Sequence, residues 1–160
     1  MANSHAPRQD SGHLAATPVY PVDASCLFCK IIAGEIPCAR VYEDDAVLAF
    51  LDINPISRGH TLVVPKGHYP TLLDFPAAEG EALVRALRRV ALALHETMQS
   101  GGFNCIQNNF GPAGQMVFHS HWHLVPRHEG DGLADWPGGK YKDTGEMQKL
   151  ATAIAEHIRV

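Results

Sequence analysis

The chain of 160 residues has no apolar run long enough to span a bilayer: "TLVVP" and the Leu/Ala-rich stretch from Leu83 to Leu94 are short and broken by charge. No membrane partner is expected. Positive charge is not in excess either. Thirteen Lys and Arg against 17 Asp and Glu leave a formal net charge of −4, so nucleic acid and anionic membrane meet no long-range attraction, and any phosphate must be held by local groups. No basic tail or RNA-binding signature is present, and no nucleic-acid partner is expected. The first 25 residues lack the uninterrupted apolar core of a secretory signal; their Pro, Ser, Ala and His content reads as a flexible N-terminal arm over 1–25, and a cytoplasmic location is the expectation. The four cysteines, Cys26, Cys29, Cys38 and Cys105, do not suggest a disulfide framework in a reducing compartment; only Cys26-x-x-Cys29 has a spacing that suggests chemistry. No internal repeat is visible.

What is present suits one folded unit. With 46% apolar residues the chain can bury a full core, and residues 26–160 are read as a single domain. Ser25 is a candidate cap for a short helix carrying "CLFCKIIAG" and ending at Gly34. "ARVYED" and "AVLAFLDI", split by the Asp44-Asp45 turn, read as a hairpin; "HTLVVP" is a third strand closed by Pro65. Leu83, Leu87, Val90, Leu94 and Met98 recur at helical spacing between about Ala77 and Gln99, with Gly101-Gly102 as the stop. "FNCIQNN" and "MVFHSHWHLVP" are two more strands joined by "FGPAG", and a C-terminal helix starts near Thr144. The expected fold class is α+β: a five-stranded, mostly antiparallel sheet with one long helix and a C-terminal helix.

"GQMVFHSHWHLVPR" places histidines at 119, 121 and 123. On a continuous strand these would share one face, with Phe118, Ser120, Trp122 and Leu124 on the other. Three readings compete: a solvated polar face, a metal site such as zinc, and nucleophilic catalysis, in which one imidazole attacks an electrophile and its neighbours set its tautomer and protonate a leaving group. The glycine-rich "FGPAGQ" just before them can offer backbone N–H groups to a phosphate. His95, His128 and His157 read as solvated or core-edge histidines.

In that stretch, together with "LFCKIIAGEIPCARVYEDDAVLAFLDINPISRGHTLVVPKGHY", the chain resembles the histidine triad (HIT) family, in particular its Hint-like bacterial branch, from about Cys26 to Arg127. The resemblance implies a HIT-like fold whose sheet continues across a homodimer. It also implies hydrolysis or transfer at the α-phosphorus of purine nucleoside monophosphate derivatives, such as phosphoramidates, adenylated amines or dinucleotide polyphosphates. In the matching positions His121 would be the nucleophile. His119 and His123 would orient it and contact phosphate, with His123 near the leaving-group path, and His60 would be a fourth active-site histidine. Asp52 would accept the ribose hydroxyls. Phe28, Ile31, Phe50 and Ile53 would wall the base pocket, and Asn108, Gly114, Gln115, Met116 and Val117 would complete the nucleotide contacts. Met116 departs from the small hydroxyl residue often found there, removing a side-chain proton relay; Ser120 departs from a usually apolar position and is expected to face away from the site.

By itself Cys26-x-x-Cys29 is ambiguous between a redox pair, a zinc half-site and chance, although no strand precedes it as in thioredoxin-like proteins. The resemblance implies a structural zinc held by Cys26, Cys29, His68 and His119, and no organic cofactor. Two other readings stand beside the enzyme: a nucleotide-binding sensor or scaffold with slow turnover, and a metal-dependent hydrolase using the triad as ligands.

Overall fold

The computed structural model describes residues 19–133 and 140–158. Most of the N-terminal arm of the sequence reading therefore lies outside the described residues. Five strands form one antiparallel sheet in the order β1-β2-β3-β5-β4: β1 is Arg40–Glu43, β2 Val47–Leu51, β3 Thr61–Pro65, β4 Gly102–Ile106 and β5 Trp122–Arg127. Among the described residues three α-helices accompany it: α1 (Leu27–Ile32), α2 (Gly80–Met98) and α3 (Thr144–Glu156).

The strands β2 and β3 are buried on both faces, and the period of two decides which residue goes where. Val47, Ala49 and Leu51 of β2 and Val63 of β3 join Leu83, Val90 and Leu94 of α2 and Leu150 and Ile154 of α3 in the larger core. Leu48 and Phe50 of β2 and Leu62 and Val64 of β3 face the other way, into a smaller core with Cys26, Phe28, Cys29 and Ile31 around α1. The site lies on this second face. Among the described residues no helix is long and apolar enough to cross a membrane.

Several boundaries differ from expectation, each for a local reason. Ser25 does not cap α1: it bonds to the Asp23 carboxylate, and Cys26 stands at the N-cap with no side-chain cap. Gly34 follows the helix at φ 78°, as its place predicts. The long helix opens with a separate 3₁₀ turn (Ala77–Glu79) and is ended by Gln99 at φ 47°, not by Gly101-Gly102; Gly102 instead begins β4. α3 starts at Thr144 because Asp143 caps it, its carboxylate accepting from Glu146 N–H at 2.8 Å.

The largest correction concerns the histidine strand. β5 begins only at Trp122, so His119 and His121 stand on the irregular segment leading into it and only His123 is a strand residue. Before that point the backbone bonds go elsewhere: His119 N–H to the Val117 carbonyl and Ser120 N–H to the Tyr69 carbonyl at 2.6 Å. Ser120 is fully buried, and among the described residues its hydroxyl is the one buried side-chain polar atom without a hydrogen-bond partner.

Candidate active site

With only His123 on the strand, the three imidazoles do not share one orientation. His119 Nε2 lies 2.9 Å from the Pro65 carbonyl. A carbonyl only accepts, so Nε2 carries the proton and Nδ1 keeps its lone pair. That Nδ1 is 3.5 Å from Cys26 Sγ and 3.7 Å from Cys29 Sγ, while His68 Nδ1 is 3.4 Å from Cys29 Sγ. α1 brings both thiols to this point from one turn, and His68 comes from just beyond β3. The four donor atoms all lie within 4.8 Å of one another. A tetrahedral zinc, with bonds of about 2.3 Å to sulfur and about 2.0–2.1 Å to nitrogen, has S···N edges of about 3.5 Å. The donor set and spacing therefore fit that ion. Burial pushes the Cys29 thiol up, so a bare thiolate here lacks the counter-charge that a cation provides.

Two residues later the logic reverses. His121 Nδ1 lies 2.7 Å from the His119 carbonyl, so it donates there and the lone pair sits on Nε2. His121 borders a cavity of about 410 Å³ together with Phe28, Ile31, Phe50, Ile53 and Val117, and Asp52 stands on its rim. Phe28 meets His121 edge to face at 5.1 Å and Phe50 at 5.7 Å, so the base wall of the sequence reading also backs the nucleophile candidate. His60 and His123 form a relay. Ile56 N–H donates to His60 Nδ1 at 3.2 Å, so His60 carries its proton on Nε2 and donates to His123 Nδ1 at 2.8 Å. His123 therefore keeps its proton on Nε2, and its ring lies 4.9 Å from that of His121. Asp52 Oδ2 is 3.6 Å from His60 Nδ1, and Oδ1 accepts from Asn54 N–H at 2.8 Å.

Comparisons with known proteins identify the family. The HIT domain model matches residues 33–130, more than half of the chain. This chain is a member of the HIT family. The HIT protein of Bacillus subtilis called "Protein hit" is 42% identical over 84% of this chain and 94% of its own. Adenylylsulfatase HINT3 of Arabidopsis thaliana is 46% identical over 83% of this chain and 69% of its own. Among solved structures, a Zn-bound histidine triad family protein from Mycobacterium smegmatis superposes with TM-score 0.75 at 36% identity, covering 84% of this chain and 93% of that one.

Burial shapes the electrostatics of the HIT site. It lowers the pKa of His119 and His60 to about 4 and that of His123 to about 3, against the usual imidazole value of 6.5; Asp52 opposes the shift at His60, and neighbouring imidazoles deepen it at His119 and His123. His121 is lowered too, by burial against the opposing pull of the His119 carbonyl and Asp52. All four are neutral at physiological pH, the state a nucleophilic or ligating nitrogen needs. A second cluster, of the carboxylate Asp52 with His60 and His123, also has its donors within 4.8 Å. Its two histidine nitrogens are already bonded at 2.8 Å, tighter than the roughly 3.3 Å edge of a zinc tetrahedron, so it reads as a proton relay.

Of the remaining expected contacts, Gly114 and Met116 line the cavity, Gly114 at φ 88° and Met116 largely exposed. Asn108 lies beside Gly114. Gln115 is buried and its amide is occupied by backbone: Oε1 accepts from Phe110 N–H at 2.7 Å, and Nε2 donates to the Pro70 and Val117 carbonyls at 2.6 and 3.1 Å. It thus shapes the loop that presents its neighbours. Ile36, Pro37, Cys38 and Met147 also line the cavity and carry no motif that could have announced them. His95 and His157 bond to Ser100 and to the Ala153 carbonyl, away from the site.

Proposed function

We propose that this HIT protein hydrolyses or transfers nucleoside monophosphate derivatives at the α-phosphorus through a nucleotidyl-His121 intermediate, purine phosphoramidates being the reference substrate. The observation that carries the reading is the His121 Nδ1 contact with the His119 carbonyl, which leaves the Nε2 lone pair for phosphorus in an apolar-walled cavity. In the first step His121 Nε2 forms the bond to phosphorus as the bond to the leaving group breaks; the His60–His123 pair, which takes up a proton beside Asp52 when the anionic phosphate binds, gives the leaving group the proton on His123 Nε2 and is left neutral. Water then attacks phosphorus, the P–N bond to His121 breaks, and the water's proton returns to the histidine relay as the nucleoside monophosphate departs. Phe28, Ile31, Phe50, Ile53 and Val117 take the base, Asp52 the ribose hydroxyls, and Asn108, Gly114, Gln115 and Met116 serve the phosphate end by contact or by shaping the loop. The name of the Arabidopsis relative, adenylylsulfatase, supports chemistry on an adenylyl group.

Zinc belongs to the reading as a structural ion on Cys26, Cys29, His68 and His119, supported by the donor spacing and by the Zn-bound relative. Bound there it would cross-link α1 to the triad segment. The reading also includes a cytoplasmic homodimer with an arm over 1–25 ahead of one domain. Edge strand β4 supports the dimer: it carries the exposed Phe103 and borders an apolar cavity of about 470 Å³ against Val84 and Leu92 of α2, so pairing two such edges would continue the sheet.

Incubation of purified protein with an adenosine 5′-phosphoramidate labelled at phosphorus tests this. Release of amine and AMP in equal amounts is expected, with an alkaline denaturing quench leaving a label on wild type that later acid treatment removes, and none on His121→Asn. Hydrolysis that follows metal occupancy one for one, with no labelled protein, would overturn the covalent reading in favour of a metal-bound nucleophile.

A further inference from the structure

The loop between β2 and β3 carries Asp52 and His60, and its backbone is closed by named partners. Asp52 N–H donates to the His60 carbonyl at 3.0 Å, and His60 N–H to the Ser57 carbonyl at 3.0 Å. The Ser57 hydroxyl donates to the Pro126 carbonyl on β5 at 2.8 Å, and the Thr61 hydroxyl to the Gly59 carbonyl at 2.8 Å. The Gly59 N–H finds its acceptor much later in the chain: the Tyr141 hydroxyl, at 3.3 Å. Gly59 is buried at φ 90°, and a Cβ there would come within 3.1–3.2 Å of Met98 and Leu94. It has no side chain with which to hold itself, so the orientation of its peptide depends on these two hydroxyls.

The segment that carries Tyr141 meets the site twice more. Glu146 lies 3.4 Å from Arg58, and Met147 lines the cavity beside Asp52 and Ile53. Tyr141, Glu146 and Met147 all lie beyond residues 33–130, the part that matches the HIT domain model.

We infer that Tyr141 is a positioning residue of the active site: by accepting the Gly59 N–H it fixes the peptide ahead of His60, and so the imidazole that donates to His123. The inference rests on the proposed role of His123 in protonating the leaving group. A hydrogen bond of 2.8 Å between two rings is steep in angle, so a small tilt of His60 removes the donor at His123 Nδ1. The proton on His123 Nε2 is then no longer assured. Substrate binding, which uses the cavity wall, has no such dependence.

Tyr141→Phe keeps the ring and its packing but removes the acceptor. Hydrolysis of an adenosine 5′-phosphoramidate by the full chain is expected to lose about ten- to a hundredfold in kcat with KM within about twofold of wild type, the scale of a misaligned catalytic group. Nitrogen-15 NMR of the imidazoles supplies the second readout: His60 and His123 should pass from two defined tautomers to averaged ring-nitrogen shifts. Leu150→Ala, in the buried face of α3, is the control; it should lower Tm with kcat and the histidine shifts unchanged. A Tyr141→Phe protein with kcat within twofold of wild type and unaltered shifts would overturn the inference. So would an equal kcat loss in Leu150→Ala, which would make the effect one of stability. If wild type shows no hydrolysis at all, the proposed function fails, while the shifts in Tyr141→Phe still decide whether Tyr141 sets the His60–His123 pair.

Discussion

His119 and His121 are two residues apart, both buried and both neutral, yet one faces a pair of thiols and the other a nucleotide-sized cavity. The difference is which ring nitrogen meets a carbonyl. Pro65 takes the Nε2 proton of His119 and turns Nδ1 to the sulfurs; the His119 carbonyl takes the Nδ1 proton of His121 and turns Nε2 to the cavity. The two regions are thus joined through a single residue, His119, whose side chain serves one and whose backbone serves the other. Phe28 joins them again: it stands between the two cysteines on α1 and touches both imidazoles, at 5.9 and 5.1 Å.

The sharpest way to separate the two regions is His121→Asn. Asparagine can still donate to the His119 carbonyl, so the fold, the zinc content and AMP binding should persist while turnover falls by about 10⁴-fold or more, as for other lost nucleophiles. Retention of more than a tenth of wild-type kcat would rule out His121 as the nucleophile. From the other side, Cys26→Ser combined with Cys29→Ser should take zinc from about one per chain to near zero and lower Tm clearly, because metal binding is coupled to folding. Substantial hydrolysis should survive. Zinc retained in the double variant would show that the ligands lie elsewhere.

A smaller effect is expected within the cavity. Asp52→Ala removes the charged acceptor proposed for the ribose, a contact of about 1.5–3 kcal/mol, so KM should rise by about 10- to 150-fold with kcat changed much less. Equal binding of 5′-AMP and its dideoxy analogue by wild type would remove Asp52 from that role. The smallest effect concerns pH. His60 and His123 titrate at about 4 and about 3 when folded, below the unfolded value of 6.5, so unfolding takes up protons as the medium becomes acidic. The stability tied to their neutral forms is complete above about pH 6.5 and is lost as pH falls from there towards 4 and 3. Tm should decline over that window, and His123→Asn should flatten the decline; parallel curves for the two proteins would mean that these imidazoles do not titrate as their burial implies.

Much of this was legible in the residues. The unbroken apolar runs of β2 and β3 belong to strands covered on both faces, and the helical recurrence from Leu83 to Met98 gave α2 to within a turn. The fold class and the family followed from local pattern. The histidine alternation misled because it presumed a continuous ladder. β3 pairs with β5 only from Thr61 to Val63, since Pro65 has no N–H to extend the pairing and its carbonyl is taken by the His119 ring. The strand therefore starts late, and the triad's first two members are aimed by side-chain bonds instead of by pleat.

The places of Tyr141 and Met147 at the site were not legible, although Met147 was read as part of the C-terminal helix. Nothing in "KYKDTGEMQK" marks a residue that reaches Gly59 or the cavity, because that contact depends on how α3 lies across the sheet. Residue type and spacing were enough to single out the three imidazoles and the glycine-rich loop before them; that thiols and a carboxylate would join them came from the family resemblance. Which nitrogen of each imidazole holds its proton was settled only by tertiary structure. An imidazole is a donor on one side and an acceptor on the other, and the groups that choose between the sides, the Pro65 and His119 carbonyls and the Ile56 N–H, are backbone atoms that every sequence possesses and only a fold can place.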